Sequence, residues 1–224
     1  MSDAAAYELY AYWRTSATYR VRVALALKGL GAEERFVDVD KGENRSPEFL
    51  KINPMGGLPA FVVKDGGAVL TQSLAILDYL EETHPEPALL PADALGRARV
   101  RSLAQMLAAD THPLITPRVR KYLAAEGGFT PDAWKSWQRH WFTTGLQAFE
   151  ARLAADRETG RFCHGDQVTI ADICLASITA VMKVFDINVA GIPTVERILA
   201  ECEAMPAFAA ADPFLQTGAP ERAA

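Results

Sequence analysis

The sequence predicts an α/β domain followed by an all-helical domain, the fold class α/β plus all-α. Up to residue 83, short strand-like segments alternate with helical ones, whereas every longer periodic segment after residue 92 has helical spacing. Between these regions lies HPEPALLP, residues 84–91, whose three prolines cannot continue a helix. We therefore expect two domains, at residues 1–85 and 92–224.

The first domain is predicted to follow the order strand-helix-strand, then strand-strand-helix. The expected strands cover residues 9–12, 34–39, 60–63 and 68–71, the helices begin at Thr15 and at Gln72, and residues 41–57 are expected to form a loop. This order is typical of the thioredoxin-like arrangement, a small mixed sheet with helices on its faces.

The second domain is expected to consist of helices only. The helical segments cover residues 95–123, 132–153, 169–184 and 193–202. Pro113 and Pro117 should bend or interrupt the first of them. The tail from Asp212 is expected to be loosely held.

Composition argues against several classes of protein. A formal net charge of −5 disfavours a nucleic-acid partner, and no apolar run is long enough to cross a membrane. The N-terminus lacks the basic and apolar regions of a secretory signal. The 3 cysteines form no C-x-x-C pair and the 4 histidines lack metal-site spacing, so we expect neither a disulfide framework nor a metal. A reducing cytoplasm fits this pattern best.

The segment that follows the first strand is the candidate reactive site. Thr15 and Ser16 stand where a helix begins, and its N-terminal amides favour an anion such as a phosphate, a carboxylate or a thiolate. The alternative is that both residues only cap the helix. Residues 1–85 contain no cysteine, which excludes direct dithiol chemistry, and a hydroxyl without an adjacent base is a poor nucleophile. Donation to the thiolate of a ligand, which lowers the thiol pKa, is the chemistry that remains.

Two further segments extend this site. Leu58-Pro59, just before the third strand, is predicted to be a cis peptide whose flanking backbone pairs with an extended ligand. Gln72-Ser73 opens another helix and offers a second anion site suited to a carboxylate, with simple capping again as the alternative. Two anion sites on either side of a backbone-pairing proline describe a pocket for a tripeptide with a thiol at one end.

The segment that carries Thr15, YAYWRTSATYRVRVALALKGL at residues 10–30, resembles the signature of zeta-class glutathione transferases, the maleylacetoacetate and maleylpyruvate isomerases. In the first domain NPMGGLPAF and LTQSLAILDYLEETHPEPALLP are similar to the same family. In the second domain the similar segments are DTHPLITPRV, WQRHWFTTGLQAFEARL, FCHGDQVTIADICLA and AMPAFAAADP. The resemblance covers nearly the whole chain and implies the glutathione transferase fold.

The resemblance also implies a role for each candidate residue. Glutathione would be the cosubstrate, with Thr15 as the catalytic hydroxyl, Ser16 beside it and Arg14 facing a dicarboxylate substrate. The ligand-binding residues would be Leu58 and Pro59 for the cysteinyl backbone, Gln72 and Ser73 for the γ-glutamyl carboxylate, and His112 and Arg118 near the ligands. Thr169 and Asp172 would form a capping box with a role in folding. A homodimer is likewise implied.

The chain departs from the family pattern at residues that would meet the substrate. Ala17 replaces a Cys or Thr, and Val184 stands where the family places a second arginine, with Lys183 pointing elsewhere on the helix. The function expected is therefore a zeta-like glutathione transferase that activates glutathione for addition to a small electrophile. Two alternatives remain. One is a glutathione-dependent cis-trans isomerase of maleylacetoacetate or maleylpyruvate, and the other is a non-catalytic binding module with this fold.

Overall fold

The computed structural model describes residues 6–221. The strands are β1 Tyr7–Ala11, β2 Ala32–Phe36, β3 Ala60–Val63 and β4 Ala68–Thr71. The helices are α1 Ser16–Leu27, α2 Pro47–Ile52, α3 Ser73–Thr83, α4 Ala94–Gln105, α5 Pro117–Glu126, α6 Pro131–Ala155, α7 Ile170–Val184, α8 Pro193–Glu203 and α9 Pro206–Ala210. These elements form two compact units. One comprises the described residues up to Ala88 together with those from Met205 onward, and the other is Leu89–Ala204.

A mixed sheet in the order β2-β1-β3-β4 forms the centre of the first unit. β1 runs parallel to β2 and antiparallel to β3, and β3 runs antiparallel to β4. The predicted thioredoxin-like arrangement is therefore confirmed. Leu9 of β1 lies opposite Phe61 of β3, and both side chains are fully buried. Tyr10 alternates to the other face and packs against Phe49 of α2, so the middle of the sheet is covered on both faces.

The second strand covers residues 32–36 instead of the expected 34–39. β2 lies at the edge of the sheet with largely exposed side chains, and Arg35 pairs with Glu8 at 2.7 Å. A half-exposed edge strand need not show the apolar alternation on which the prediction relied. Val37 and Val39, which lay within the predicted range, are buried just beyond the end of β2.

Residues 47–52 form α2, although this stretch was expected to be part of a loop. The helix-start signal was nevertheless present in the sequence. Ser46 accepts a hydrogen bond from the Phe49 N–H at 3.2 Å, Pro47 takes the first helical position, and Glu48 lies in the first turn. The helix has only 6 residues, of which Phe49 alone is buried, and is too short for the apolar periodicity to reveal it.

The C-terminal segment after α8 belongs to the first unit, whereas the sequence predicted a single helical domain over residues 92–224. The ring of Phe214 lies 5.8 Å from that of Trp13. Gly218, with φ of +85°, sits so close to the Phe36 ring that any side chain there would overlap it. These contacts hold the tail that was expected to be loose. Aromatic contacts between residues so far apart in sequence leave no local signal.

The second unit is built of helices, as predicted. α4 continues into a wider π-helical stretch, Met106–Thr111, and then into a narrow turn, His112–Ile115, before α5 begins at Pro117. The predicted interruption at Pro113 and Pro117 is thus confirmed.

The start of α7 is fixed by the carboxylate of Asp172. This fully buried group accepts hydrogen bonds from the Thr169 N–H at 2.8 Å, from the Thr169 hydroxyl at 2.7 Å and from the Cys163 N–H at 2.8 Å. The predicted Thr169–Asp172 capping box is confirmed. Among the helices described, none combines the length and apolarity needed to span a bilayer.

Candidate active site

Three of the predicted site segments meet at one end of the sheet. The antiparallel register pairs Ala60, at the start of β3, with Tyr10 near the end of β1 and with Thr71 at the end of β4. Three connections therefore lie at the same edge of the sheet. The one after β1 carries Thr15–Ser16, the one before β3 carries Leu58–Pro59, and the one after β4 carries Gln72–Ser73.

Thr15 occupies the N-cap position of α1 in an extended conformation, but its side chain does not cap the helix. The hydroxyl donates instead to Thr18 Oγ1 at 2.5 Å, with the Tyr12 carbonyl oxygen at 3.4 Å. Thr15 is also partly exposed. Capping therefore does not explain this residue. A partly exposed hydroxyl at a helix N-terminus is well placed to donate to a bound anion.

Ser16 and Ser73, the first residues of α1 and α3, are joined by a side chain that the sequence analysis missed. Arg20 donates from Nη2 to Ser16 Oγ and from Nη1 to Ser73 Oγ, both at 2.9 Å. All three side chains are buried. The available signal was an arginine one helical turn after Ser16, a spacing that brings two side chains together on a helix. Nothing local linked it to Ser73.

Gln72 has a φ of 68° and a ψ of 110°, a backbone conformation that residues other than glycine rarely adopt. Its side chain is exposed and does not cap α3. Strained backbone of this kind costs about 1–3 kcal/mol and is concentrated at functional sites. The strain favours an anion site over plain capping at the start of α3.

The Leu58–Pro59 peptide bond is cis, as predicted. Pro59 is buried, and Leu58 packs against the buried cluster that includes Phe49. A second cis bond, Glu86–Pro87, lies in the proline-rich segment between the predicted domains and was not expected.

Arg14, the predicted contact for a substrate carboxylate, has a carboxylate partner within the chain. Its Nη2 lies 2.6 Å from Oδ1 of Asp40, and the Tyr12 hydroxyl donates to Oδ2 of Asp40 at 2.6 Å. The guanidinium also lies near the rings of Tyr12 and Trp13, 5.5 and 5.4 Å from their centroids. Burial, followed by the bond to Asp40, raises the pKa of Tyr12 to about 12, so this phenol stays protonated at neutral pH. Asp40 was not predicted as a site residue.

The other predicted residues belong to the second unit. His112 is partly buried in the narrow turn before α5, and Arg118 is exposed in the first turn of α5. Their role near the ligands stays a prediction. Val184 is the last residue of α7 and is partly buried. Lys183 is exposed and forms an ion pair with Glu203 of α8, so it points elsewhere on the helix, as expected.

The chain's own sulfur atoms offer no nucleophile. Cys163, Cys174 and Cys202 are buried free thiols. Burial raises the pKa of Cys163 and of Cys202, which keeps both protonated. In the part of the chain described, no group of three or more His, Cys, Asp or Glu side chains is arranged to hold a metal ion. A thiolate in the candidate site therefore has to come from a ligand.

The fold and the site together define a class of protein, in which a thioredoxin-like unit with hydroxyls in place of its cysteine is combined with a helical unit. Two family models match the chain. They are the glutathione S-transferase N-terminal domain over residues 5–82 and the glutathione S-transferase C-terminal domain over residues 143–206. The chain belongs to the glutathione S-transferase family.

Similar proteins of about the same length carry more specific names. A probable maleylacetoacetate isomerase of Vibrio cholerae is 39% identical over 94% of this chain and 97% of its own. The crystal structure of a maleylacetoacetate isomerase from Methylobacterium extorquens AM1, with bound malonate and glutathione, is 48% identical with a TM-score of 0.92, and it covers 96% of this chain and 100% of its own. The structure of a maleylpyruvate isomerase, described as a bacterial zeta-class glutathione S-transferase, is 38% identical with a TM-score of 0.90 over 95% of this chain and 100% of its own. The zeta-class resemblance inferred from the motifs is confirmed.

Proposed function

We propose that this chain is a zeta-type glutathione transferase, which binds glutathione at the end of the sheet and directs its sulfur to an electrophilic carbon. The observation that carries the proposal is the placement of Thr15, Leu58–Pro59 and Gln72–Ser73 at one edge. These segments provide a donor for a thiolate, a backbone for an extended peptide and a second helix N-terminus for a carboxylate. Glutathione presents all three groups in one molecule.

Thr15 is the residue that we place beside the glutathione sulfur. Its present partner, Thr18 Oγ1, is itself a hydroxyl and can reverse the hydrogen bond to donate to Thr15. Thr15 then directs its own proton to the sulfur. This donation and the helix N-terminus both favour the thiolate and lower the thiol pKa. Ser16, which is buried against Arg20, supports this segment.

The bound thiolate forms a carbon–sulfur bond with the substrate. At a carbon that bears a leaving group, this group departs with the bonding electrons and the conjugate is released. At an activated cis double bond, the sulfur adds to one carbon and the π electrons move to the conjugated carbonyl oxygen. Rotation about the new single bond and return of the electrons expel the sulfur. The products are then the trans isomer and unchanged glutathione.

Isomerisation of a maleyl dicarboxylate is the second candidate. The names of the similar proteins favour it, as does the malonate bound to one of them. Against it stand two features of this chain. Arg14 is paired with Asp40. The family resemblance places Val184 where a second arginine is expected. We therefore rank conjugation of a neutral electrophile first.

A turnover screen tests the proposal. The purified chain is incubated with glutathione and, separately, an aryl halide, a maleyl dicarboxylate and a haloacid. We expect glutathione-dependent turnover of at least one of them. Glutathione binding without turnover of any substrate would favour the non-catalytic module. Absence of glutathione binding would overturn the proposal as a whole.

We further propose that the chain works as a homodimer, as the family resemblance implies, and in the cytoplasm, which the cysteine pattern favours. His112 and Arg118 keep their predicted role as ligand-side residues of the second unit. Light scattering after size-exclusion chromatography tests the assembly. The expected mass is about twice 24.4 kDa, and a mass of one chain would contradict the dimer.

A further inference from the structure

The buried guanidinium of Arg20 connects the two helix starts of the proposed glutathione site. Arg20 is 2% exposed, and its Nη2 and Nη1 atoms each lie 2.9 Å from a serine oxygen. One serine, Ser16, begins α1, and the other, Ser73, begins α3. A planar guanidinium holds its donors in a rigid fork, unlike a flexible ammonium. One side chain therefore sets the spacing between the two serine hydroxyls.

The direction of these hydrogen bonds has a chemical consequence. Arginine has donors only, so the oxygens of Ser16 and Ser73 both accept from Arg20, and their own protons point away from it. A hydroxyl that accepts a charge-assisted hydrogen bond becomes a better donor itself. The guanidinium also brings a full positive charge close to both helix N-termini, in a buried region where charge is weakly screened.

We propose that Arg20 is a positioning residue of the glutathione site. It fixes the start of α1 relative to the start of α3, and it favours the thiolate of bound glutathione through Ser16 and through its own charge. This inference rests on the proposed function. It requires that the thiol end and the γ-glutamyl end of glutathione are energetically coupled, because the same guanidinium supports both.

Arg22 provides a matched control on the same helix. It is 9% exposed and pairs with Glu34 of β2, with Nε and Nη2 each 2.8 Å from a carboxylate oxygen. Replacing either arginine by methionine removes a buried charge from α1 and should lower the stability of the first unit. Of the two, Arg20 is the one that bonds to the serines of the site.

The test measures glutathione affinity by calorimetry and the pKa of the bound thiol from the ultraviolet absorbance of its thiolate across pH. In Arg20→Met, we expect the affinity to fall by about tenfold or more and the thiol pKa to rise by about one unit. In Arg22→Met, the affinity should stay within about twofold of that of the unaltered chain and the thiol pKa within about 0.3 units. Circular dichroism and thermal unfolding establish that both variants fold.

The outcomes separate this inference from the proposed function. If the unaltered chain binds glutathione and the two variants behave alike, Arg20 has only a structural role and the inference fails, while the proposed function stands. If the unaltered chain does not bind glutathione, the proposed function itself fails.

A double-mutant cycle with Ser73→Ala tests whether Arg20 acts through Ser73. If it does, the binding free energy lost in the double variant Arg20→Met/Ser73→Ala is smaller than the sum of the single losses. Additive losses would overturn action through this serine. If Arg20→Met does not fold, glutathione affinity is measured with Arg20→Lys instead. Its ammonium keeps the charge but not the fork, so affinity should fall by about fivefold or more, and unchanged affinity would overturn the inference.

Discussion

At the scale of single residues, the chemistry depends on which hydroxyl reaches the ligand. Thr15 is partly exposed, whereas its neighbour Ser16 is 1% exposed and bonded to Arg20. The sequence pattern predicted both as candidates, because both stand at a helix start. The helix-start pattern alone did not distinguish them, and the preference for Thr15 came from the family resemblance. The burial of a first helical turn depends on side chains from elsewhere in the chain, such as that of Ser73.

Replacing Thr15 by valine keeps the shape of the side chain and removes its proton donor. We expect kcat/KM with glutathione to fall by about 100-fold, or roughly 3 kcal/mol, by analogy with the loss of one oxyanion donor. The pKa of the bound thiol should rise, and pH-dependent steady-state kinetics measure both effects. Thr15→Ser, which keeps the hydroxyl, should retain most of the activity. If Thr15→Val were silent and Ser16→Ala abolished turnover, the roles of the two residues would be reversed.

Asp40 pairs with Arg14, the residue predicted to bind a substrate carboxylate, so we expect it to compete with an acidic substrate. Asp40→Asn removes the charge while nearly keeping the shape, so the KM for a maleyl dicarboxylate should fall by about threefold. The gain is small because both side chains are partly exposed, at 22% for Arg14 and 57% for Asp40, and it should shrink as salt is added. The KM for a neutral electrophile serves as the control. An equal change there would mean that Asp40 acts on the shape of its loop and not through its charge.

At the scale of elements, the helices and strands with a strong apolar pattern could be predicted from the sequence. Residues 60–63 and 68–71 were expected as strands and are β3 and β4 with the same bounds. α7 was equally clear, because it is buried along most of its length. β2 and α2 were misplaced or missed, since an edge strand with exposed side chains and a helix of 6 residues with one buried side chain do not show a clear apolar period.

A substitution at the start of α7 tests how much this helix start contributes to stability and leaves the proposed ligand site unaltered. Asp172→Ala removes a buried acceptor from the two donors of Thr169 and from the Cys163 N–H. Buried donors left unpaired cost about 1–3 kcal/mol each, so we expect a loss of about 3 kcal/mol in the free energy of unfolding, measured by urea denaturation. Asp172→Asn, which keeps one oxygen acceptor, should lose less. Glutathione affinity of the folded variants should be unchanged, and weaker binding would show that Asp172 is more than a structural residue.

At the scale of the whole molecule, composition and prolines predicted two parts but not how the chain is shared between them. The units divide between Ala88 and Leu89, inside the proline-rich segment. The C-terminal segment returns to the first unit through contacts such as those of Phe214 with Trp13 and of Gly218 with Phe36, which no local pattern encodes. In the candidate site, too, local features could be predicted and contacts between distant residues could not. The helix starts could be predicted from the sequence, whereas Arg20 and Asp40, which act across long sequence distances, could not.

Substrate choice is a property of the whole chain, because a dicarboxylate brings two charges and each unpaired buried charge costs several kcal/mol. Arg14 can bind one carboxylate through a charge-assisted hydrogen bond. The family resemblance predicts a second arginine at the position of Val184. Lys183 beside it forms an ion pair with Glu203. The unaltered chain should therefore conjugate a neutral electrophile faster than it isomerises a maleyl dicarboxylate.

Val184→Arg supplies the charge that the family resemblance predicts at this position and tests this account. A hydrogen bond to a charged group contributes about 1.5–3 kcal/mol, so kcat/KM for maleyl dicarboxylates should rise by about tenfold or more. Conjugation of the neutral electrophile should stay nearly unchanged, since it has no carboxylate to meet the new guanidinium. Lys183→Arg is the matched control, because it introduces a guanidinium at the adjacent position and leaves Val184 in place. Rapid isomerisation of maleylpyruvate or maleylacetoacetate by the unaltered chain, with no gain from Val184→Arg, would show that a second arginine is dispensable and that the isomerase activity comes first.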